Sequence, residues 1–360
     1  MTPASFPPDR NEVIGISLNF VPRGYHLLED RSSTGRKKSW DLLKQNTELV
    51  SESMNRIGLH KKAMQMLSCG SFLAFKKFHD ETLKLHNANF CRLRLCPLCA
   101  WRRSLKVFTQ LEKIMEVATK EDKYEYLFLT LTIRNCPADE LSETISTMIK
   151  GYDALFKKRN IAKVYKGAFR SLEVTYNKKT KEFHPHFHVV LMVEKKYLSR
   201  NEGYISQKKL VKIWRDCLKV DYDPILDIRK IKSSDLNIKK AVAEVAKYTV
   251  KSKDILLPDQ DETDQVVMAL DSALAGRRLI SYRGHFKEIY DQLKLDDPVD
   301  GDLIHIGEDI EQEQLYDVVY YCYHYGWHHY FETDRNRNFI VKDRGGGFEE
   351  ISSTNYGTYT

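Results

Sequence analysis

No stretch of the chain approaches the roughly 20 apolar residues of a membrane-spanning helix. Its first residues carry no apolar signal-peptide core. Those two absences set a membrane partner aside, and a cytoplasmic protein is the expectation. Cysteine is scarce and odd in number, seven in 360 residues, with three of the seven crowded into residues 91–99. That excludes a disulfide framework and favours a reducing compartment with metal or thiol chemistry. No internal repeat is present, so a solenoid array is not expected. Positive charge is thin towards the C-terminus. Residues 256–360 hold 9 Lys and Arg against 21 Asp and Glu, a net −12, whereas the rest of the chain holds 48 against 29, a net +19. A basic body with an acidic tail suggests a polyanion as the partner of the body.

What is present is enough for two or three compact units. Residues 1–35 are rich in Pro, Ser, Gly and Arg and read as a loose arm, although "VIGISLNFV" has strand character. Trp40, Leu43, Leu49, Met54, Ile57, Met64 and Leu67 then recur at helical spacing, predicting one or two amphipathic helices. The middle is more regular. Strands are predicted at 124–133, 168–176, 186–193 and 224–231, with "NKKTKEF" as a hairpin connection between the second and third. Helices are predicted at 138–159, 206–219 and 233–253, the second capped by Ser206 and carrying Leu210, Ile213, Trp214 and Cys217 on one face. The order βαββαβ followed by a helix predicts an α+β fold. It is the ferredoxin-like arrangement: an antiparallel sheet with helices on one face and the other left for function. "LPDQDETD" (257–264) reads as a linker. Beyond it lie a basic patch, "GRRLISYRGHFK", and an aromatic run, "YDVVYYCYHYGWHHYF", either a buried strand pair or a binding surface. Together they form a C-terminal α/β extension.

The stretch "EFHPHFHVVLMV" carries the chemistry. Alternate side chains of a strand share a face, so His186 and His188 point together while Phe187, Val189 and Leu191 point to the core. In the preceding strand Leu172 and Val174 are the natural core residues, which sends Glu173 to the histidine side. Thr130 and Thr132 line the same face if Leu129 and Leu131 face the helices. Two imidazoles and a carboxylate with open positions can hold Mg²⁺ or Mn²⁺ and polarise a phosphate. His184, before Pro185, can be a loop residue, a support for the other histidines or a DNA contact. The same string also fits a histidine-triad nucleotide hydrolase.

Two further clusters matter. In "AVAEVAKYTVKSK" (241–253), Glu244 and Tyr248 are four apart and stack on one face of the predicted helix, as do Lys247 and Lys251. A phenol, with an ordinary pKa of about 10, needs a neutralised phosphate and flanking ammonium groups to attack phosphorus. A carboxylate one turn away can act as base towards water. In "NFCRLRLCPLCAWRRSLK", Cys96 and Cys99 form a CxxC knuckle with Cys91 before it. Cys69 can supply a fourth thiolate to a structural zinc, with His79 and His86 as alternatives. The Trp101, Arg102, Arg103 and Lys106 that follow suit phosphate contact. Cys136, Cys217 and Cys322 read as core residues.

Taken in order, "FCRLRLCPLCAWRRSLK" (90–106), "FLTLTIRN" (128–135), "HPHFHVVLMV" (184–193) and "EVAKYTVK" (244–251) resemble the plasmid rolling-circle replication initiators of the HUH endonuclease superfamily. The resemblance covers about residues 67–255. It implies a single-tyrosine nickase acting at a plasmid double-strand origin, as duplex and as extruded single strand. Tyr248 would form a 5′-phosphotyrosine link and leave a 3′-OH primer. His186 and His188 would hold Mn²⁺ or Mg²⁺, with Glu173 as the third ligand chosen from geometry. Glu244 would promote hydrolysis at termination. Thr130, Thr132, Asn135, Arg102, Arg103, Lys247, Lys251 and His184 would contact DNA or support the site. A host superfamily-1 helicase, a DNA polymerase and a second copy of the chain are the implied partners. The expected division is an N-terminal arm and helical region (1–66), a zinc module (67–110), a nickase domain (120–255) and an unassigned acidic, aromatic region (256–360). A single-tyrosine transposase or relaxase, and a zinc-dependent DNA-binding regulator without enzymatic activity, are the other readings.

Overall fold

The computed structural model describes residues 25–32, 34–199, 204–232, 235–247, 249–306 and 316–333. The first elements are α1 (Trp40–Arg56), α2 (His60–Leu67), β1 (Phe72–Phe78), β2 (Leu83–Ala88) and α3 (Pro97–Lys120). The middle of the chain forms β3 (Tyr124–Thr132), α4 (Leu141–Lys157), α5 (Arg159–Val164), β4 (Tyr165–Asn177), β5 (Glu182–Glu194), α6 (Gln207–Leu218), β6 (Leu226–Lys230) and α7 (Asp235–Val245). Then come α8 (Ser252–Ile255), α9 (Gln260–Leu274), β7 (Ile280–Gly284), α10 (His285–Gln292), β8 (Tyr316–His324) and β9 (His329–Thr333). The strand-like "VIGISLNFV" lies outside the described residues. Contacts divide the chain into two units, Met1–Cys99 with Glu308–Thr360, and Ala100–Gly307. The region beyond 256, read in the sequence as one tail, is therefore shared between them.

In the first unit an antiparallel sheet has the order β2-β1-β8-β9. The aromatic run is its buried strand pair: Tyr321, Cys322, Tyr323, Tyr330 and Phe331 are all buried. Trp40 of α1 sets its ring edge-on to Phe75 and donates its indole N–H to Asp30 at 2.8 Å. A buried indole with its polar tip satisfied adds apolar area without an orphaned donor.

In the second unit the sheet order is β6-β3-β5-β4-β7, every pair antiparallel. Its first four strands realise the βαββαβ arrangement. Leu129 and Leu131, Phe187, Val189 and Leu191, and Leu172 and Val174 are buried on one face, with Leu141, Ile145, Met148 and Tyr152 of α4 and Leu210 and Trp214 of α6. Each such side chain contributes about 1.5–3 kcal/mol on burial. Gly151 is what allows α4 and α6 to come close, since a Cβ there would lie 3.0 Å from Leu218 Cδ2 and 3.3 Å from Trp214 Cζ3.

Three expectations change. The opposite face of the sheet is not bare. Tyr126 stacks on Phe286 of α10, and Tyr282 of β7 on Tyr290 of the same helix. α7 is tied to α3 by a Lys239–Glu112 ion pair of 2.8 Å. The supposed linker starts α9: Asp259 caps it by accepting from the Glu262 N–H, and acidic Asp261 and Glu262 suit the positive end of the helix. The basic patch at 276–287 is spent internally, Ile280–Gly284 being the fifth strand and Arg277 donating to Ser142 and Ser146 of α4.

Candidate metal centres

The β4–β5 hairpin sets Glu173 directly opposite His186 and Ser171 opposite His188. On the other side of β5, Thr132 opposes His186 and Thr130 opposes His188. Opposed residues of an antiparallel pair share a face, so these residues occupy one patch. Glu173 Oε2 lies 2.9 Å from His188 Nε2 and 3.4 Å from His186 Nε2. Ligands about 2.1 Å from a six-coordinate ion sit roughly 3 Å apart when adjacent, so the group fits a small divalent cation. His186 Nδ1 donates to the His184 carbonyl at 3.1 Å, which leaves Nε2 as its ligand atom. Phe128 packs its ring against His188 at 5.6 Å, and Thr132 Oγ1 donates to the Ile225 carbonyl at 2.7 Å.

Glu173 stands where strand alternation sets it, whereas its contact with Lys251 and the end of α7 do not follow from local pattern. Lys251 Nζ sits 2.8 Å from Glu173 Oε1. Burial would raise the Glu173 pKa, but hydrogen bonds from His186, His188 and Lys251 outweigh it and hold the carboxyl far below the usual range. The predicted helix over 233–253 stops at Val245, three residues short of Tyr248, because the chain turns to pair with β4: the Val174 N–H donates to the Thr249 carbonyl at 2.7 Å. The continuous helix expected through 253 is therefore not formed. Tyr248 itself lies outside the described residues. Glu244 is half-buried and paired with Lys247 at 2.5 Å, so the expected Lys247–Lys251 pair is replaced by two lysines on separate carboxylates. His184 Nδ1 is 2.7 Å from Asn135 Oδ1, and its ring stacks on His186 at 5.0 Å.

In the first unit Cys69, Cys91, Cys96 and Cys99 bring their sulfurs together, with Sγ separations of 3.5 Å for Cys69–Cys99 and Cys69–Cys96 and 3.8 Å for Cys91–Cys99. Thiolates about 2.3 Å from a tetrahedral zinc stand roughly 3.8 Å apart, so the four fit that ion. The Cys91 N–H points at Cys69 Sγ (3.3 Å) and the Arg92 N–H at Cys99 Sγ (3.2 Å), both favouring thiolates. His79 and His86 are exposed and outside the group. Gly70, at φ +64°, follows Cys69 where a Cβ would lie 2.7 Å from Leu98 Cδ1. Cys136 and Cys322 are buried as expected, and Cys217 is half-buried.

The basic segment after the knuckle departs from expectation. Arg102 is 5% exposed and donates to the carbonyls of Leu303 and Ile304 at 2.8 and 2.9 Å, while Arg103 donates to Val299 at 3.0 Å. Lys106 pairs with Asp296 at 2.6 Å. These cations hold the acidic loop at 296–304 against α3, which engages the donors that phosphate contact would need.

Among the described residues this mixed α+β chain thus brings together a two-histidine carboxylate group and a four-thiol group, each of which could hold a metal ion. Residues 82–331 match the family described as "Replication protein", and the chain belongs to that family. "Protein rep" of Bacillus amyloliquefaciens is 39% identical over 313 residues, covering 80% of this chain and 91% of the relative. "Protein rep" of a Bacillus species is 41% identical over 273 residues (71% and 88%), and that of Streptococcus pneumoniae 36% over 289 residues (79% and 89%). No solved structure matches the chain significantly. Among the described residues, no helix is long and apolar enough to cross a membrane.

Proposed function

We propose that this protein initiates rolling-circle replication of a plasmid by nicking its double-strand origin, as an HUH endonuclease of the bacterial cytoplasm. The observation that carries the reading is the Glu173–His186–His188 group on one face of a βαββαβ sheet in a chain of the replication protein family. That membership favours it over a transposase, a relaxase, a histidine-triad hydrolase or a non-enzymatic regulator. A Mn²⁺ or Mg²⁺ ion on those three side chains would polarise the scissile phosphate.

The residues then have distinct tasks. Tyr248 attacks the phosphorus, its phenolic proton departs, and the 3′-oxygen leaves as the primer hydroxyl. Lys251, tied to Glu173, carries positive charge beside the three ligands. Glu244 takes the proton of the water that ends the cycle. Thr132 and Asn135 hold the surrounding backbone and His184. A zinc on the four cysteines would act structurally in the first unit. Duplex and extruded single-stranded origin DNA, a superfamily-1 helicase, a polymerase and a second copy of the chain are the partners this role requires.

The test is incubation with supercoiled plasmid carrying the origin and Mn²⁺. Nicked circles with protein-linked 5′ ends are expected from the wild type and none from Tyr248→Phe. Cleavage by Tyr248→Phe at the wild-type rate would remove the tyrosine from the scheme.

A further inference from the structure

Beyond the metal group, towards the β4–β5 turn, the same sheet face continues as a cleft of about 650 Å³. Thr175 opposes His184 in the register, the next pair on that face after Glu173 and His186. With a rise of about 3.4 Å per strand residue, the two pairs are roughly 7 Å apart. The lining is Asn135, Thr175, Asn177, Lys178, Lys179 and His184 together with the ring of Tyr176, and it includes no carboxylate. Both amides have their oxygens engaged: Asn135 Oδ1 faces His184 Nδ1, and Asn177 Oδ1 accepts from the Lys179 N–H at 2.9 Å. Each is left with an NH₂ to donate. Lys178 and Lys179 are exposed and form no ion pair among the described residues. The cleft is shallow and open, so a flexible unpaired segment can lie along it. Two amide donors fit acceptors on a base edge, and two ammonium groups fit phosphates.

We propose that this cleft binds an unpaired deoxynucleotide adjoining the scissile phosphate, with Asn135 and Asn177 donating to acceptors on its base and Lys178 and Lys179 holding the flanking phosphates. The proposal rests on the nicking role above. The experiment separates the two by measuring binding and nicking independently. Binding of fluorescein-labelled single-stranded oligonucleotides spanning the nick site, varied one position at a time, is read by anisotropy without metal. Nicking of the same strands is read with Mn²⁺. Asn135→Ala/Asn177→Ala should lose about 10- to 100-fold of discrimination at one position beside the nick. Lys178→Ala/Lys179→Ala, on an exposed turn, should flatten the log–log salt dependence of binding by about 1.4, two phosphates at about 0.7 each. Unchanged discrimination and salt slope overturn the proposal. Wild-type protein that discriminates through the cleft yet never nicks would leave the cleft standing and sink the nicking role.

Lys44 carries a second inference independently. It is fully buried, and among the described residues it forms no salt bridge with a carboxylate. Its Nζ donates to the carbonyl of Leu67, two residues before Cys69, lies 3.5 Å from the Tyr325 hydroxyl, and sits over the rings of Tyr323 and Tyr325. Thr47, one turn further along the same face of α1, has its Oγ1 3.9 Å from Cys96 Sγ; burial pushes the Lys44 pKa down, and the charges of Glu48 and then of the cysteines oppose that. A buried ammonium of this kind is costly unless an anion lies close, and four thiolates around a divalent ion sum to −2. We infer that Lys44 is the counter-cation of a tetrathiolate metal centre. Zinc affinity, measured by competition with a chromogenic chelator, should fall about 10- to 100-fold in Lys44→Met and be restored in part by Lys44→Arg. The metal-free Lys44→Met protein should melt no lower than metal-free wild type, since the substitution removes an uncompensated charge. A purely structural lysine would instead lower both melting points together. If Lys44→Met fails to fold, Lys44→Gln serves. Unchanged zinc affinity in the folded variant overturns the inference.

Discussion

Glu173 is the residue on which the second unit's chemistry converges, because three donors from two different segments meet its two oxygens. Replacing it with Gln keeps the volume and removes the charge. Mn²⁺ affinity measured by calorimetry should fall more than about tenfold, at least as much as loss of an outer-shell partner costs, and unchanged affinity would show that the carboxylate is not a ligand. His285 gives a pH dependence of its own. Burial lowers its pKa, but hydrogen bonds to Glu288 and Glu121 outweigh that and raise it above the ordinary value. The stabilisation from these pairs is therefore complete below pH about 6.5 and fades as the pH rises through the higher folded value. The melting-point difference between wild type and His285→Gln should shrink from pH 6 to pH 9. A difference that grows over that range would reverse the assignment.

At the level of elements, periodicity located most of the frame. Alternation in "YLFLTLT" and "HFHVVLMV" reflects a sheet whose two faces differ, and Leu210 and Trp214 share a helix face because they are four apart. Local pattern failed where a remote backbone competed, as at Thr249, whose carbonyl is taken by β4. The packing of α4 on α6 makes a specific demand. Gly151→Val should destabilise the fold by about 1–3 kcal/mol through overpacking against Leu218 and Trp214, seen as a lower denaturant midpoint at unchanged slope. Arg102→Ala should lower thermal stability by freeing the loop at 303–304, and leave the salt dependence of DNA binding unchanged. A flattened salt slope would return Arg102 to the phosphate backbone.

For the whole molecule, the division into two units predicts a partial response to metal removal. The four cysteines all belong to the first unit, with β1, β2, β8 and β9. Stripping zinc with a strong chelator should expose residues 40–99 and 316–333 to limited proteolysis, while 124–306 stays protected. Simultaneous digestion of both regions would show that the four-thiol group stabilises the entire chain. The charge asymmetry of the sequence has a different meaning at this scale, since part of the acidic tail neutralises α3 through Lys106–Asp296 rather than standing apart from the basic body.

The sequence by itself determined the strand alternation that pairs His186 with His188 and sets Glu173 on their face, and the tight spacing that gathers Cys91, Cys96 and Cys99. Those relations act within a few residues or across one hairpin, where strand and turn geometry suffices. Only the tertiary structure brought Lys251 onto Glu173, Lys44 onto the Leu67 carbonyl and Asp296 onto Lys106, 190 residues away. Such partners are chosen by packing between distant segments, and buried charge then takes whichever counter-charge the packing supplies.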